Sequence, residues 1–145
     1  MNPILQLYNH INHFGNDHNM TYEVVEPGMV TYRMTIEERH LSGPGVAHGG
    51  IIAGFMDAVL GVAALSLAVE EGNLVSTVEF KINYLRPVKL GETITGTGKV
   101  DSRGQRILVS SGEIRDSRGE LLAKAMGTFN AYPAEKIRDK VGGLL

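Results

Sequence analysis

The chain contains no cysteine. That excludes a disulfide framework, a thiolate metal site and a cysteine nucleophile. It also has no basic surplus: 14 Lys and Arg stand against 16 Asp and Glu, for a net charge of −2. Nucleic acid or an anionic membrane is therefore not expected as the main partner, although a local basic site for an anionic ligand stays open. The stretch Met1 to Gly15 lacks a basic region followed by an apolar run, so no signal peptide is read and the cytoplasm is the expected compartment. No serine sits in a Gly-x-Ser-x-Gly elbow, which weighs against Ser42 or Ser66 as a hydrolase nucleophile. His10 and His13 lie one helical turn apart with no evident third ligand, so no metal site is expected.

What is present reads as one globular domain spanning 1–145. Of its 145 residues 43% are apolar, and the mean hydropathy is −0.04. Pro3 to Phe14 places Ile4, Leu5, Leu7, Tyr8, Ile11 and Phe14 at helical spacing behind a proline, which predicts an amphipathic helix over about 3–14. Two extended stretches follow, Tyr22 to Val25 and Met29 to Ile36, then a glycine-rich loop from Leu41 to Gly50. Ile51 to Val69 is apolar apart from Asp57 and long enough to raise a transmembrane reading. It is the only such run, lacks a basic flank and carries an acid in its first half, so a helix buried in a soluble core is the better expectation. Four alternating segments close the domain, which has its core over about 21–132. They are Thr77 to Leu85, with Val78, Phe80, Ile82 and Tyr84 on one side, then Glu92 to Val100, Arg106 to Arg115 and Glu120 to Tyr132. The tetrapeptide Asp-Ser-Arg-Gly occurs twice, at Asp101–Gly104 and Asp116–Gly119, and predicts tight hairpins with glycine at positive φ. The expected class is α+β, with one antiparallel sheet wrapped around the long central helix.

Asp57 is the residue that needs explaining. At about 100° per residue it shares a stripe with Gly50, Ala53, Gly54, Gly61, Ala64 and Ala68. A carboxylate in an apolar helix is costly unless it is paired or has a task, and on physics alone these two readings stand level. His48-Gly49-Gly50 opens the same helix. Free N–H groups at a glycine-lined helix start favour developing negative charge, which is the chemistry of an oxyanion hole.

His48-Gly49-Gly50, then Asp57, then the run Thr77-Val78-Glu79-Phe80-Lys81-Ile82-Asn83-Tyr84-Leu85-Arg86-Pro87 resemble the hotdog-fold thioesterases. The match is to the PaaI-like branch of the 4-hydroxybenzoyl-CoA thioesterase superfamily. The resemblance implies hydrolysis of an acyl-CoA thioester with no separate cofactor, since CoA belongs to the substrate. It implies Asp57 as general base or nucleophile, the Gly49 N–H as oxyanion donor, His48 beside the thioester, and Thr77 orienting the water or the acid. Ser42 stands where many relatives have an asparagine six residues before the histidine; it still donates a hydrogen bond but reaches less far. Gly50, Phe55 and Asn83 are expected to contact substrate, and Arg86, Arg103 and Arg106 to meet the CoA phosphates. The site is expected between two subunits, in a homodimer at least and a homotetramer by expectation. A non-catalytic acyl-CoA-binding module and a dehydratase of the same fold are the alternatives.

Overall fold

The computed structural model describes residues 1–141; residues 142–145 of the expected domain lie outside those described. Its centre is α3, Gly49–Ala68, held against one six-stranded antiparallel sheet. The strands are β1 (Thr21–Glu26), β2 (Met29–Thr35), β5 (Asn73–Tyr84), β6 (Thr93–Arg103), β7 (Ile107–Arg115) and β8 (Leu121–Pro133). They are ordered β1-β2-β6-β7-β8-β5, so β1 and β5 are the edges. A two-stranded hairpin, β3 (Leu41–Gly43) with β4 (Val46–Ala47), leads into α3. This is the expected hotdog arrangement. The helix is long and apolar enough by composition to cross a membrane, but most of it is buried within this fold.

Contact between helix and sheet is made close by small residues. Val30, Gly98, Gly112 and Ala125 are register partners in one row across β2, β6, β7 and β8. A Cβ on Gly98 would stand 2.5 Å from the carbonyl oxygen of Val59, and one on Gly96 would stand 2.5 Å from Val59 Cγ2. Phe55, Met56, Val59 and Leu60 fill the space around that row and are fully buried. Burial of such side chains is what holds this apolar helix to the sheet, at about 1.5–3 kcal/mol each.

Two N-terminal helices complete the cover. The predicted single helix is broken at Asn12. The first piece is α1, Pro3–Ile11, and the second is α2, His13–Asp17. The Asn12 side chain accepts from the Gly15 N–H at 3.2 Å, a local bond that competes with continuing α1. The sheet therefore does not enclose α3 alone, as the sequence suggested. Leu5 of α1 packs with Leu65 and Val69, and the Asn2 amide donates to the Val69 carbonyl at 3.1 Å. The duplicated tetrapeptide also behaves in two ways. Asp116 accepts from the N–H groups of Arg118 and Glu120, both at 2.9 Å, and Gly119 has φ +86, so that copy is the predicted tight turn. Asp101 to Arg103 instead continue β6 past a register shift between Val100 and Ser102, and Gly104 is not at positive φ.

His40 pins the segment before β3. Its Nδ1 accepts from the Glu37 N–H at 2.9 Å, so its Nε2 carries the proton and donates to His18 Nδ1 at 3.0 Å. Burial holds the His40 pKa below the ordinary imidazole value, with His18 and Arg39 acting the same way and Glu37 opposing them.

Two outcomes follow. Gly98→Ala forces its methyl against the Val59 carbonyl and lowers stability by about 1–3 kcal/mol in urea unfolding. Because unfolding restores the higher ordinary pKa of His40, the unfolded chain binds the proton first. Stability is thus complete above the ordinary imidazole range and falls as pH drops from about 6.5 towards the lowered folded value. His40→Gln flattens that part of the stability profile.

Candidate active site

The N-cap of α3 is His48, whose Nδ1 accepts from the Gly50 N–H at 2.7 Å. That bond fixes the Nε2–H tautomer for a neutral ring. It also commits the Gly50 N–H, so Gly50, expected to contact substrate, has no amide donor to offer. The His48 N–H itself donates to the His40 carbonyl at 2.7 Å. The Gly49 N–H has no partner among the described residues, and Gly49 is exposed. From the far side, the Tyr84 hydroxyl donates to the Gly49 carbonyl at 2.8 Å, holding this first helical residue against β5. Nothing in the residue spacing singled out Tyr84 for this; only the antiparallel return of β5 past the helix start brings it there.

Asp57 lies half-buried on the side of α3 that faces away from the sheet row, two residues and about 200° from Val59. The Thr77 hydroxyl donates to Asp57 Oδ1 at 2.7 Å. A bulge brings it there. Thr77 pairs with Phe129 but Glu79 pairs with Thr128, so Val78 is left without a partner and its side chain is exposed. The extra residue flips the alternation of β5. Phe80 and Ile82 then face the helix opposite Gly127 and Ala125, and Thr77 faces it opposite Phe129. Val78, expected on the same side as Phe80, does not.

Burial raises the pKa of Asp57 above its ordinary value, and the hydrogen bond from Thr77 acts against that rise. Asp57 and Thr77 line a cleft of about 460 Å³ along α3. A second hollow of about 230 Å³ adjoins Gly49 and is lined by Tyr84 and Arg86.

The remaining candidates disperse. Phe55, expected to contact substrate, is fully buried in the core, edge-on to Tyr32 with ring centroids 5.9 Å apart. Asn83 is on the outer face of the sheet with Lys81 and Lys124, the opposite face from Asp57, because it is out of phase with Phe80 and Ile82. Arg86 donates to the Leu121 carbonyl at 3.2 Å, near the start of α3. Arg103 is bonded to Glu71, just past the end of α3, and Arg106 follows in the same hairpin. A helix of this length spans about 30 Å, so the three arginines do not form one cluster within the chain. Ser42 is exposed in β3, and Ser66 is occupied structurally, accepting from the Gly28 N–H at 2.8 Å and donating to the Ala63 carbonyl at 2.7 Å.

Residues 44–123 match the family model described as the thioesterase superfamily. Human acyl-coenzyme A thioesterase 13 is 33% identical over 103 residues, covering 70% of this chain and 72% of that protein. The PaaI protein from the phenylacetic acid degradation operon of Escherichia coli superposes with a TM-score of 0.81 at 21% identity, over 88% of this chain and 90% of the other. A Streptococcus mutans protein solved bound to acetyl-CoA superposes with a TM-score of 0.70 at 25% identity, over 79% and 90% of the two chains.

Because the pKa of Asp57 is raised, the folded protein holds its proton more tightly than the unfolded chain does. Its burial therefore costs stability as pH rises through that raised value, and the cost is full at neutral pH. Asp57→Asn keeps an acceptor for Thr77 and removes the charge, so its melting temperature exceeds that of the wild type at neutral pH. The gain disappears on acidification below the ordinary carboxylate range.

Proposed function

The chain belongs to the thioesterase superfamily and is a thioester hydrolase, and we propose that its substrates are acyl-coenzyme A thioesters, with Asp57 as the working carboxylate. The observation that carries this reading is the half-buried Asp57 held by the Thr77 hydroxyl inside a cleft. A carboxylate with a raised pKa is a better proton acceptor than an exposed one. The acyl-CoA substrate is supported by the 33% identical human acyl-CoA thioesterase and by the acetyl-CoA bound to the similar Streptococcus mutans protein.

In the reaction, the thioester carbonyl oxygen accepts the uncommitted N–H of Gly49. Water attacks the carbonyl carbon while Asp57 takes its proton. The tetrahedral intermediate collapses, the carbon–sulfur bond breaks, and the proton returns to the departing CoA sulfur. Attack by Asp57 itself, forming an acyl anhydride that water then opens, uses the same residues. Oxygen-18 incorporation into Asp57 in a single turnover separates the two routes.

Gly49 and Asp57 of one helix are about 12 Å apart along its axis, whereas an oxyanion donor must sit about 3 Å from the oxygen it stabilises. The spacing favours a site in which Gly49 of one subunit serves Asp57 of another, hence a homodimer at least, and we extend this to a homotetramer. The long β5 edge, exposed at Val78 and Tyr84, offers a second copy a strand to pair with.

Asp57→Asn should lower kcat for acyl-CoA hydrolysis by about 10²–10⁴-fold in a thiol-release assay. Undiminished turnover would remove Asp57 from the mechanism, and tight acyl-CoA binding by a wild type that never turns over would make the protein a binding module. The ionised acid is the active form, so kcat/KM falls as pH drops through the raised pKa of Asp57. Thr77→Val deletes the bond that opposes the rise, and should move this acid limb to higher pH.

A further inference from the structure

We propose that the N-terminal helical pair sets the acyl preference of the site, with Phe14 limiting the size of acyl group the Asp57 cleft accepts. The inference rests on the thioesterase reading above and extends it to a segment outside the matched region, 44–123.

The cleft is not walled by α3 and β5 alone. Tyr8, Asn12 and Phe14 line it together with Asp57 and Thr77. Its floor along α3 is kept low by Gly54, Ala58 and Gly61 and ends at Leu65, a run of about 16 Å. Phe14 closes this run at the Gly54 end: a Cβ on Gly54 would stand 2.9 Å from two atoms of its ring. Gly54 lies one turn before Asp57 on the same stripe, so the ring borders the space next to the reacting carbon. The ring does no work in the core. It belongs to neither buried cluster, is 47% exposed, and otherwise touches His18, with ring centroids 4.7 Å apart.

The wall is also held in place. Asn2 ties α1 to the end of α3, and His18, just beyond α2, is bonded to His40, whose carbonyl accepts the His48 N–H. Tyr8 senses the acid from across the cleft: burial raises its pKa, and the charge of Asp57 pushes it the same way. A large half-exposed aromatic fixed beside a glycine floor is a size limit, and hydrophobic pockets discriminate by about 10–200-fold per methylene-sized change in fit.

The test is kcat/KM for straight-chain acyl-CoAs from acetyl to palmitoyl, with wild type, Phe14→Ala, Phe14→Leu and Phe14→Trp. The expected result is a shift of about tenfold or more in the long-to-short ratio towards long chains for Phe14→Ala, a smaller shift the same way for Phe14→Leu, and the reverse for Phe14→Trp. A purely structural role would scale all substrates together, so an unchanged ratio in correctly melting variants overturns this inference alone. A wild type that hydrolyses none of the series overturns the proposed function and this inference with it. Should Phe14→Ala fail to fold, the Leu and Trp variants decide the matter by the same ratio.

Discussion

The Val59 carbonyl of α3 sits where a side chain on Gly98 would begin, 2.5 Å from the missing Cβ, and much else depends on that approach. The row from Val30 through Gly98 and Gly112 to Ala125 lowers the sheet surface beneath the helix. Phe55, Met56, Val59 and Leu60 can then fill the concave face completely. With that side of the helix committed, whatever lies about 200° round the axis must face away from that row, towards the β5 edge or the N-terminal helices. Asp57 is what lies there.

An acid in that position is neither fully solvated nor fully enclosed. Its partial burial raises its pKa, and the Thr77 hydroxyl keeps the ionised form within reach. The same bond depends on a defect in the sheet. One unpaired residue, Val78, reverses the alternation of β5 and turns Thr77 inward. The strand carries two consequences at once, because its other end delivers Tyr84 to the Gly49 carbonyl. One edge strand thereby braces both the acid and the start of the helix that presents the uncommitted N–H.

Much of this was legible beforehand. A nineteen-residue apolar run with one acid, followed by alternating segments and turn residues, is the pattern of a helix cradled by an antiparallel sheet. The small-residue stripe around Asp57 is a consequence of helical periodicity, and Gly54 and Gly61 do line its cleft. The failures share a cause. Asn12 looks like any polar residue on an amphipathic helix until its side chain caps the next turn. Two identical Asp-Ser-Arg-Gly copies take different paths because one is drawn into the β6–β7 ladder and the other is not. Alternation gives a parity for β5 but does not mark where it reverses, so it groups Val78 with Phe80, Ile82 and Tyr84 on one side, and Thr77 enters the site by resemblance alone. Phe55, Asn83 and the spread of the three arginines depend on which face and which end of the fold each residue reaches.

Local periodicity and composition by themselves determined that there is a buried helix, an antiparallel sheet, a glycine-lined helix start and one acid without an obvious partner. These are properties of residues within a few positions of one another, and helical and strand repeats report them directly. Tertiary structure decided which group meets that acid, through a bulge whose cause lies in strand pairing. It decided that Phe14, in a segment read only as an amphipathic helix, stands beside Gly54 at the cleft. Contacts between residues twenty or forty positions apart follow from how elements pack, and no repeat in the sequence encodes that distance.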